Sequence, residues 1–582
     1  MIFAVARSER TMDSMRRRLC ALAEQMEFDT FYDYGNMRQG SIIRVRDCAS
    51  VFRNILKKRS EDLGKFSVAR VIRDIALDRP RPDLSPAFFA DLYYMILGLQ
   101  GRGPGKAPAD EELEPSALTG RRAAKERSRQ LDTLWKNIEK RLSTYHHGLE
   151  PEVIAYRRKR SRKILKVLGA SEKDWENWHW QLQNVIRDAE SLTALLAISG
   201  AEKEAVVEAS RRKVPFGITP FYLSLMHDEP TAHDRAIRAQ VIPSLDYVME
   251  TAADRETGDC LMDFMRERDT SPVDLITRRY PAIVIFKPYN TCPQICVYCQ
   301  RNWEIEGVLE PTAMARPEQI ERALSWIRRH PAIHEVLLTG GDPLIMSDNR
   351  IRNLLSRIAD IPTIERIRIG TRVLATLPMR ITDGLCRILG SFRKPGKREV
   401  VVVTHVQHPY EITNRTVEAV ENLRSRGIPV CNQLVYTFWI SRRFEAAALR
   451  RILRLTGITP YYTFNTKGKD ETRDYRVPIA RLLQEQKEEA RMMPGMARTD
   501  EAVYNVPGMG KNYLRALQHR NMLSLLPDGS RVYEYHPWEK NISGTGPLET
   551  YISNDVPILE YLERLEGIGE DVSAYQTIWY YY

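Results

Sequence analysis

Residues 289–303 read YNTCPQICVYCQRNW and hold three of the chain's eight cysteines, at positions 292, 296 and 299. The other five, Cys20, Cys48, Cys260, Cys386 and Cys431, are scattered without pairing rhythm. Scattered thiols suit a reducing compartment, and a group of three cannot pair off, so a disulfide framework is disfavoured. Structural zinc asks for four ligands, and no second Cys-x2-Cys or His-x3-His stands nearby. Three thiolates spaced Cys292-x3-Cys296-x2-Cys299 on one loop suit three irons of a 4Fe–4S cluster, with the fourth iron left open to another ligand.

Such a loop needs a frame. Short β-rich runs alternate with amphipathic helical patterns through the middle of the chain: IVIF (283–286), EVLLT (335–339), RIRIG (366–370), VVVVT (400–404), PVCNQLVY (429–436) and TPYYTF (459–464). Between the first two, Ile320, Ala323, Leu324 and Ile327 share one helix face. The next helix carries Ile351, Leu354, Leu355 and Ile358. Six strands separated by helices predict an α/β fold with parallel βα units, curling toward a partial (β/α)6, TIM-like barrel. In such folds the chemistry gathers beyond the strands' C-terminal ends, and the cysteines directly follow the first strand. LLTGGDPL (337–344) closes the second strand with Gly340, Gly341 and Asp342.

The rest of the 582 residues divides around this core. Residues 1–115 form an N-terminal region of unassigned role that ends in a Gly/Pro-rich, acidic linker, GRGPGKAPADEELEP. Residues 116–275 are helical and basic, 276–480 form the core, and 481–582 form a C-terminal region. The net charge of +11 is concentrated in residues 121–166, which hold fifteen Lys/Arg against five Asp/Glu. No nucleic-acid motif or aromatic interleaving accompanies that run, so a solvated helical face is its reading. No apolar window reaches membrane-span length, and MIFAVARSER is too short and too charged for a secretory signal. A cytoplasmic protein with no membrane partner is expected.

With these motifs in view, the cysteine loop and its Tyr298 resemble the signature of the radical S-adenosylmethionine (SAM) enzymes. GITPFYLSLM (217–226), TSPVDLITRRYP (270–281), IRIGTRVLATLPMRIT (367–382), THVQHPYEIT (404–413) and GIPVCNQ (427–433) narrow the match. Together they resemble the lysine 2,3-aminomutase family, in the same order from about residue 172 to 540. The resemblance implies a radical SAM barrel with an added helical N-terminal region, and three cofactors: a 4Fe–4S cluster, SAM and pyridoxal 5′-phosphate (PLP). It implies that a SAM-derived radical removes a β-hydrogen from a free amino acid held on PLP, after which nitrogen moves from Cα to Cβ. An electron donor such as flavodoxin or ferredoxin is implied too, and a homo-oligomer is left open.

Residue by residue, the resemblance gives Cys292, Cys296 and Cys299 to the cluster, and Gly340, Gly341, Asp342, His405 and Gln433 to SAM. YNVPGMGKNYL (504–514) makes Lys511 the PLP lysine, with Met509 where glycine is usual. Arg279 is placed near PLP, while Ile283 stands where the family often has a second arginine. Arg301 is given the substrate α-carboxylate, a task that suits a planar guanidinium. The zinc-binding cysteine group of the family's lysine enzymes is missing, because no cysteine follows Cys431.

Two aspartates hold the side-chain ammonium in the lysine enzymes, and their positions are Lys467 and Asn505 here. Charges about 4 Å apart at an effective dielectric near 20 interact by about 4 kcal/mol, so exchanging an acid for Lys467 works against a cationic substrate. An anionic side chain would gain from Lys467 and Asn505. The same pair marks glutamate 2,3-aminomutases as the resemblance has it, so L-glutamate to β-glutamate is the expected reaction. The alternatives are L-lysine to β-lysine, with Asp470 or Asp474 reaching the site, and modification of a macromolecule-bound amino acid.

Overall fold

The computed structural model describes residues 1–32, 39–103, 113, 117–258, 262–465, 470–537 and 550–582. Most of the expected linker and Lys467 lie outside the described residues. A nine-stranded sheet runs in sequential order: β1 (Ile276–Thr277), β2 (Ile283–Tyr289), β3 (Glu335–Gly340), β4 (Arg366–Thr371), β5 (Glu399–Thr404), β6 (Val430–Tyr436), β7 (Ile458–Asn465), β8 (Glu501–Val506) and β9 (Gly510–Tyr513). Strands β2 to β8 are parallel neighbours, while β1 and β9 close the two edges antiparallel. All six expected strands are therefore present, and the same sheet continues into a seventh parallel strand, β8. That strand is hard to see in sequence, because EAVYNV is short and Asn505 interrupts its apolar run. Among the described residues nothing pairs β9 with β1, so the barrel is partial.

The strands alternate as a half-lined barrel requires. On β2, Val284, Phe286 and Pro288 are buried, while Ile285, Lys287 and Tyr289 are only partly covered. The buried face packs on Ile320, Ala323, Leu324 and Ile327 of the helix Pro317–Arg328. Each fully buried Ile or Leu there contributes about 2 kcal/mol of apolar transfer. The open face belongs to the barrel interior, and its rows include His405 just past β5, Gln433 on β6, Tyr462 on β7, Asn505 on β8 and Lys511 on β9.

Residues 120–257 form a helical cap with its own apolar core, which includes Val297 of the cysteine loop, Tyr410 and Tyr475. The N-terminal helices, from Ile2–Ser8 to Pro86–Leu99, pack on a second sheet of β10 (Arg520–Leu525), β11 (Arg531–Tyr535) and β12 (Tyr551–Asn554). A buried pair fastens them: Arg531 Nε and Nη2 donate to Asp91 at 2.7 and 3.0 Å. Arg531 also donates to the carbonyls of Trp579 and Tyr581, so the aromatic tail packs on its own chain. Among the described residues no helix is long and apolar enough to cross a membrane.

Candidate active site

The cysteine loop leaves the C-terminal end of β2 and is stitched to its surroundings through the backbone. Ile295 N donates to Gly217 O at 3.2 Å and Val297 N to Gln240 O at 3.1 Å, both in the helical cap. On the other side Asp342 N donates to Thr291 O at 2.9 Å and Gly341 N to Tyr289 O at 3.0 Å. These bonds bring β2 and β3 so close that a Cβ on Gly341 would lie 2.0 Å from Thr291 O. Gly340 adopts φ +118°, which side chains rarely permit. The glycine pair thus follows from close backbone approach.

Cys292, Cys296 and Cys299 form no disulfide and are each partly covered. Burial pushes the Cys292 thiol well up, and Asp342 and the other two thiols add to the shift. Among the described residues no three acids, cysteines or histidines converge on a point for a single ion. A cluster that gives each thiolate its own iron does not require such convergence.

Asp342 is fully engaged. Its carboxylate accepts from Thr371 Oγ1 at 2.7 and 2.9 Å, from Arg372 N at 2.8 Å and from Leu344 N at 3.1 Å. It ties the end of β3 to the end of β4. Beside it stands Arg372, which sequence reasoning missed: Nη1 donates to Cys296 Sγ at 2.8 Å and Nε to His405 O at 3.2 Å. Its Nη2 donates to Glu411 at 2.8 Å, to Tyr222 at 3.2 Å and to Gln240. Tyr222 in turn donates to Glu411 at 2.7 Å. One guanidinium therefore joins barrel, cap and cysteine loop, and its sequence signal, an arginine just beyond a strand's C-terminal end, is weak alone. His405 bonds to the Gln433 backbone; burial, with Arg372 beside it, holds its imidazole down to about 4.

Deeper in the mouth, Arg301 is buried. Its Nη1 donates to Glu267, its Nη2 to Glu304, and its Nε to Gly340 O at 3.3 Å. Glu267 also faces Arg279 at 3.0 Å and Lys287 at 3.3 Å, and Lys287 reaches Glu304 at 2.6 Å. Burial alone would raise the Glu267 carboxyl, but Arg301, Arg279 and Lys287 overcome it and hold it near 2. Arg279 Nε is buried without a hydrogen-bond partner. Glu267, Lys287 and Glu304 were not legible as site residues, since each is an ordinary charged residue until the fold gathers them.

Lys511 and Asn505 are direct partners across the β8–β9 ladder, so their side chains share the inner face. Lys511 Nζ donates to the Tyr280 hydroxyl at 2.7 Å and lies 4.8 and 5.6 Å from the ring centres of Tyr280 and Tyr462. Asn505 Nδ2 approaches Gln300 Oε1 at 3.5 Å, which links the lysine strand pair to the cysteine loop. Asp474 accepts from Ser244 at 3.0 Å, at the start of the cap helix Leu245–Thr257. Ile283 opens β2, one position from Val284 of the helix-facing core.

Comparison with known proteins agrees with this geometry. Residues 286–439 match the model of the radical SAM superfamily. An uncharacterized KamA family protein of Methanocaldococcus jannaschii is 43% identical over 91% of this chain and 88% of its own length. Glutamate 2,3-aminomutase of Clostridioides difficile is 32% identical over 62% of this chain and 80% of its own. L-lysine 2,3-aminomutase of Bacillus subtilis is also 32% identical, over 64% and 75%. On these likenesses the chain belongs to the KamA family of radical SAM aminomutases, whose cofactors are a 4Fe–4S cluster, SAM and PLP.

Proposed function

We propose that this chain is an amino acid 2,3-aminomutase that moves the α-amino group of a free amino acid to its β-carbon, with L-glutamate to β-glutamate as the leading reaction. One observation carries the reading: Asn505 faces Lys511 across the ladder and meets the amide of Gln300, where the resembled lysine enzymes carry an aspartate. The two named relatives match at the same 32% identity and do not choose between substrates. Asp474, an acid that would serve a lysine substrate, is turned to Ser244.

The residues present fit the family's cofactors. Three thiols on one loop, none in a disulfide, suit the cluster, the Gly340–Gly341 turn leaves room only for backbone, and the unpaired Arg279 Nε suits an oxygen of a phosphate. In this reading Cys292, Cys296 and Cys299 hold the cluster, Gly340, Gly341, Asp342, His405 and Gln433 surround SAM, and Lys511 and Arg279 hold PLP. When bound, these groups supply a hydrogen-abstracting carbon radical and a conjugated ring that delocalises the unpaired electron.

The chain's own share is positioning and exclusion of water. Tyr280 orients Lys511 Nζ through its 2.7 Å hydrogen bond. Arg301, fixed by Gly340 O, offers a planar fork to the α-carboxylate. His405 stays neutral above about 4, so it can accept or donate a hydrogen bond without adding charge. Asn505, with Lys467, addresses the far end of the substrate. The helical cap closes the SAM side through Tyr222 and Gln240.

The test is anaerobic incubation of reconstituted, reduced protein with SAM, PLP and single amino acids, followed by chromatography for β-amino acids. β-Glutamate from glutamate, with no β-lysine from lysine, is the expected result, and the reverse refutes the substrate assignment. Asn505→Asp places a carboxylate where the substrate's own would lie; at about 5 Å and an effective dielectric near 20 the repulsion is about 3 kcal/mol, a loss of about 100-fold in kcat/KM for glutamate.

A further inference from the structure

Within the barrel mouth three cations, Arg279, Lys287 and Arg301, are interleaved with Glu267 and Glu304, and the buried carboxylate of Asp263 acts on Arg279 and Glu267. Arg301 is the cation read as the clamp for an incoming carboxylate. Yet both terminal nitrogens of Arg301, the ends that a bidentate carboxylate would use, already donate to protein carboxylates. Of these two partners Glu267 has the more cations to fall back on. If it releases Arg301 it keeps Arg279 at 3.0 Å and Lys287 at 3.3 Å, while Glu304 keeps Arg301 and the 2.6 Å contact with Lys287. Its position is well prepared: Asp263, which accepts from Glu267 N at 2.7 Å and Arg268 N at 3.0 Å, anchors the turn that carries it.

We propose that Glu267 is a resident stand-in for the substrate carboxylate, occupying Arg301 until an α-amino acid displaces it onto Arg279 and Lys287. This rests on the reading of Arg301 as the carboxylate clamp. Arg301 is buried, and the stand-in gives its Nη1 end an anionic partner in the substrate-free enzyme, beside the Glu304 contact at Nη2. The consequence is a lower apparent affinity, because the fork is free for only a fraction of the time. The exchange also favours ligands that bring a carboxylate. A neutral amine leaves Glu267 in place, whereas an α-amino acid brings a carboxylate that takes over the Nη1 end of Arg301.

The sign of the effect separates this from a purely supporting role. PLP-loaded, cluster-containing protein, without SAM or reductant, is titrated with L-glutamate and with L-lysine, and binding is followed by the absorbance of the bound PLP. Glu267→Gln keeps the shape and removes the competing charge; it is expected to tighten the better ligand about 3- to 10-fold, the fraction by which occupancy of the fork had weakened it. In an Arg301→Met background, which itself weakens binding, Glu267→Gln is expected to give no gain. Weaker or unchanged binding in Glu267→Gln overturns the proposal, and so does an equal gain without Arg301. If Glu267→Gln does not load PLP, Glu267→Asp is the second variant: its shorter arm cannot span Arg301 and Arg279 together, so tightening is again expected and weakening again refutes. A wild-type protein whose PLP responds to neither amino acid overturns the aminomutase reading and the stand-in with it. A flat response in Glu267→Gln alone sinks only the stand-in.

Discussion

Gly341 offers the sharpest test of how the cysteine loop is held. An alanine there would set its methyl carbon 2.0, 2.3 and 2.4 Å from the carbonyl oxygen, carbonyl carbon and nitrogen of Thr291, where ordinary contact begins at 3.4 Å. The two backbones must separate by about 1.4 Å to restore ordinary contact. Thr291 cannot retreat freely: its O accepts from Asp342 N at 2.9 Å, and its Oγ1 donates to Gly307 O at 2.8 Å and accepts from Glu310 N at 3.1 Å. Losing one or two of these bonds costs about 1 kcal/mol each, and overpacking adds about 1–3, so the local penalty is about 2–5 kcal/mol. Because Cys292 is the next residue, the strain falls directly on the cluster loop. The assay is iron and sulfide content after anaerobic reconstitution, with electron paramagnetic resonance of the reduced protein before and after SAM. Gly567→Ala, at a helical glycine with nothing within 4 Å of its Cβ, is the control. A Gly341→Ala protein with the control's iron content and SAM response would refute the close-approach argument.

Other substitutions probe the remaining parts. Lys511→Ala removes the amine beside Tyr280, so PLP is expected to dissociate on gel filtration, and borohydride treatment is expected to fix PLP to the wild-type lysine and to add no mass to the variant. Arg372→Met strips Glu411 and Tyr222 of a buried cation; breaking such a pair costs about 3–5 kcal/mol, to be read as a lower midpoint in thermal or urea unfolding, and an unchanged midpoint argues against Arg372 as the link between cap and barrel. His405 is held near 4 by burial and by Arg372, below its ordinary 6.5, so the unfolded chain takes up its proton first. Its contribution is fully present above pH 6.5 and is lost as pH falls toward 4. Tm measured across that window should drop more steeply in the wild type than in His405→Asn, and parallel curves would refute the assignment.

Much of this protein is legible in its residues because the determinants are local. Three cysteines within eight positions, glycines at the end of an apolar run, and helix faces such as Ile320–Ile327 declare themselves through spacing and period, which need no knowledge of distant segments. The six expected strands share that property, whereas β8 does not: its place beside β7 is set by a crossover through Ile479–Gln484 and irregular turns whose pattern is weak. The charges around Arg301 and Arg372 are a different matter. Glu267 lies 34 residues from Arg301 and Glu411 lies 39 from Arg372 in the chain, and nothing in their neighbours distinguishes them from surface acids. Only burial makes them informative, since a carboxylate removed from water must find a cation, and the fold decides which one it meets. The sequence by itself carried the spacing of the cysteine loop and the resemblance that singles out Lys511. Tertiary structure decided the company they keep, with Arg372 on a cysteine thiol, Asn505 opposite Lys511 and Glu267 on Arg301, because electrostatic partnership depends on distance through space and not along the chain.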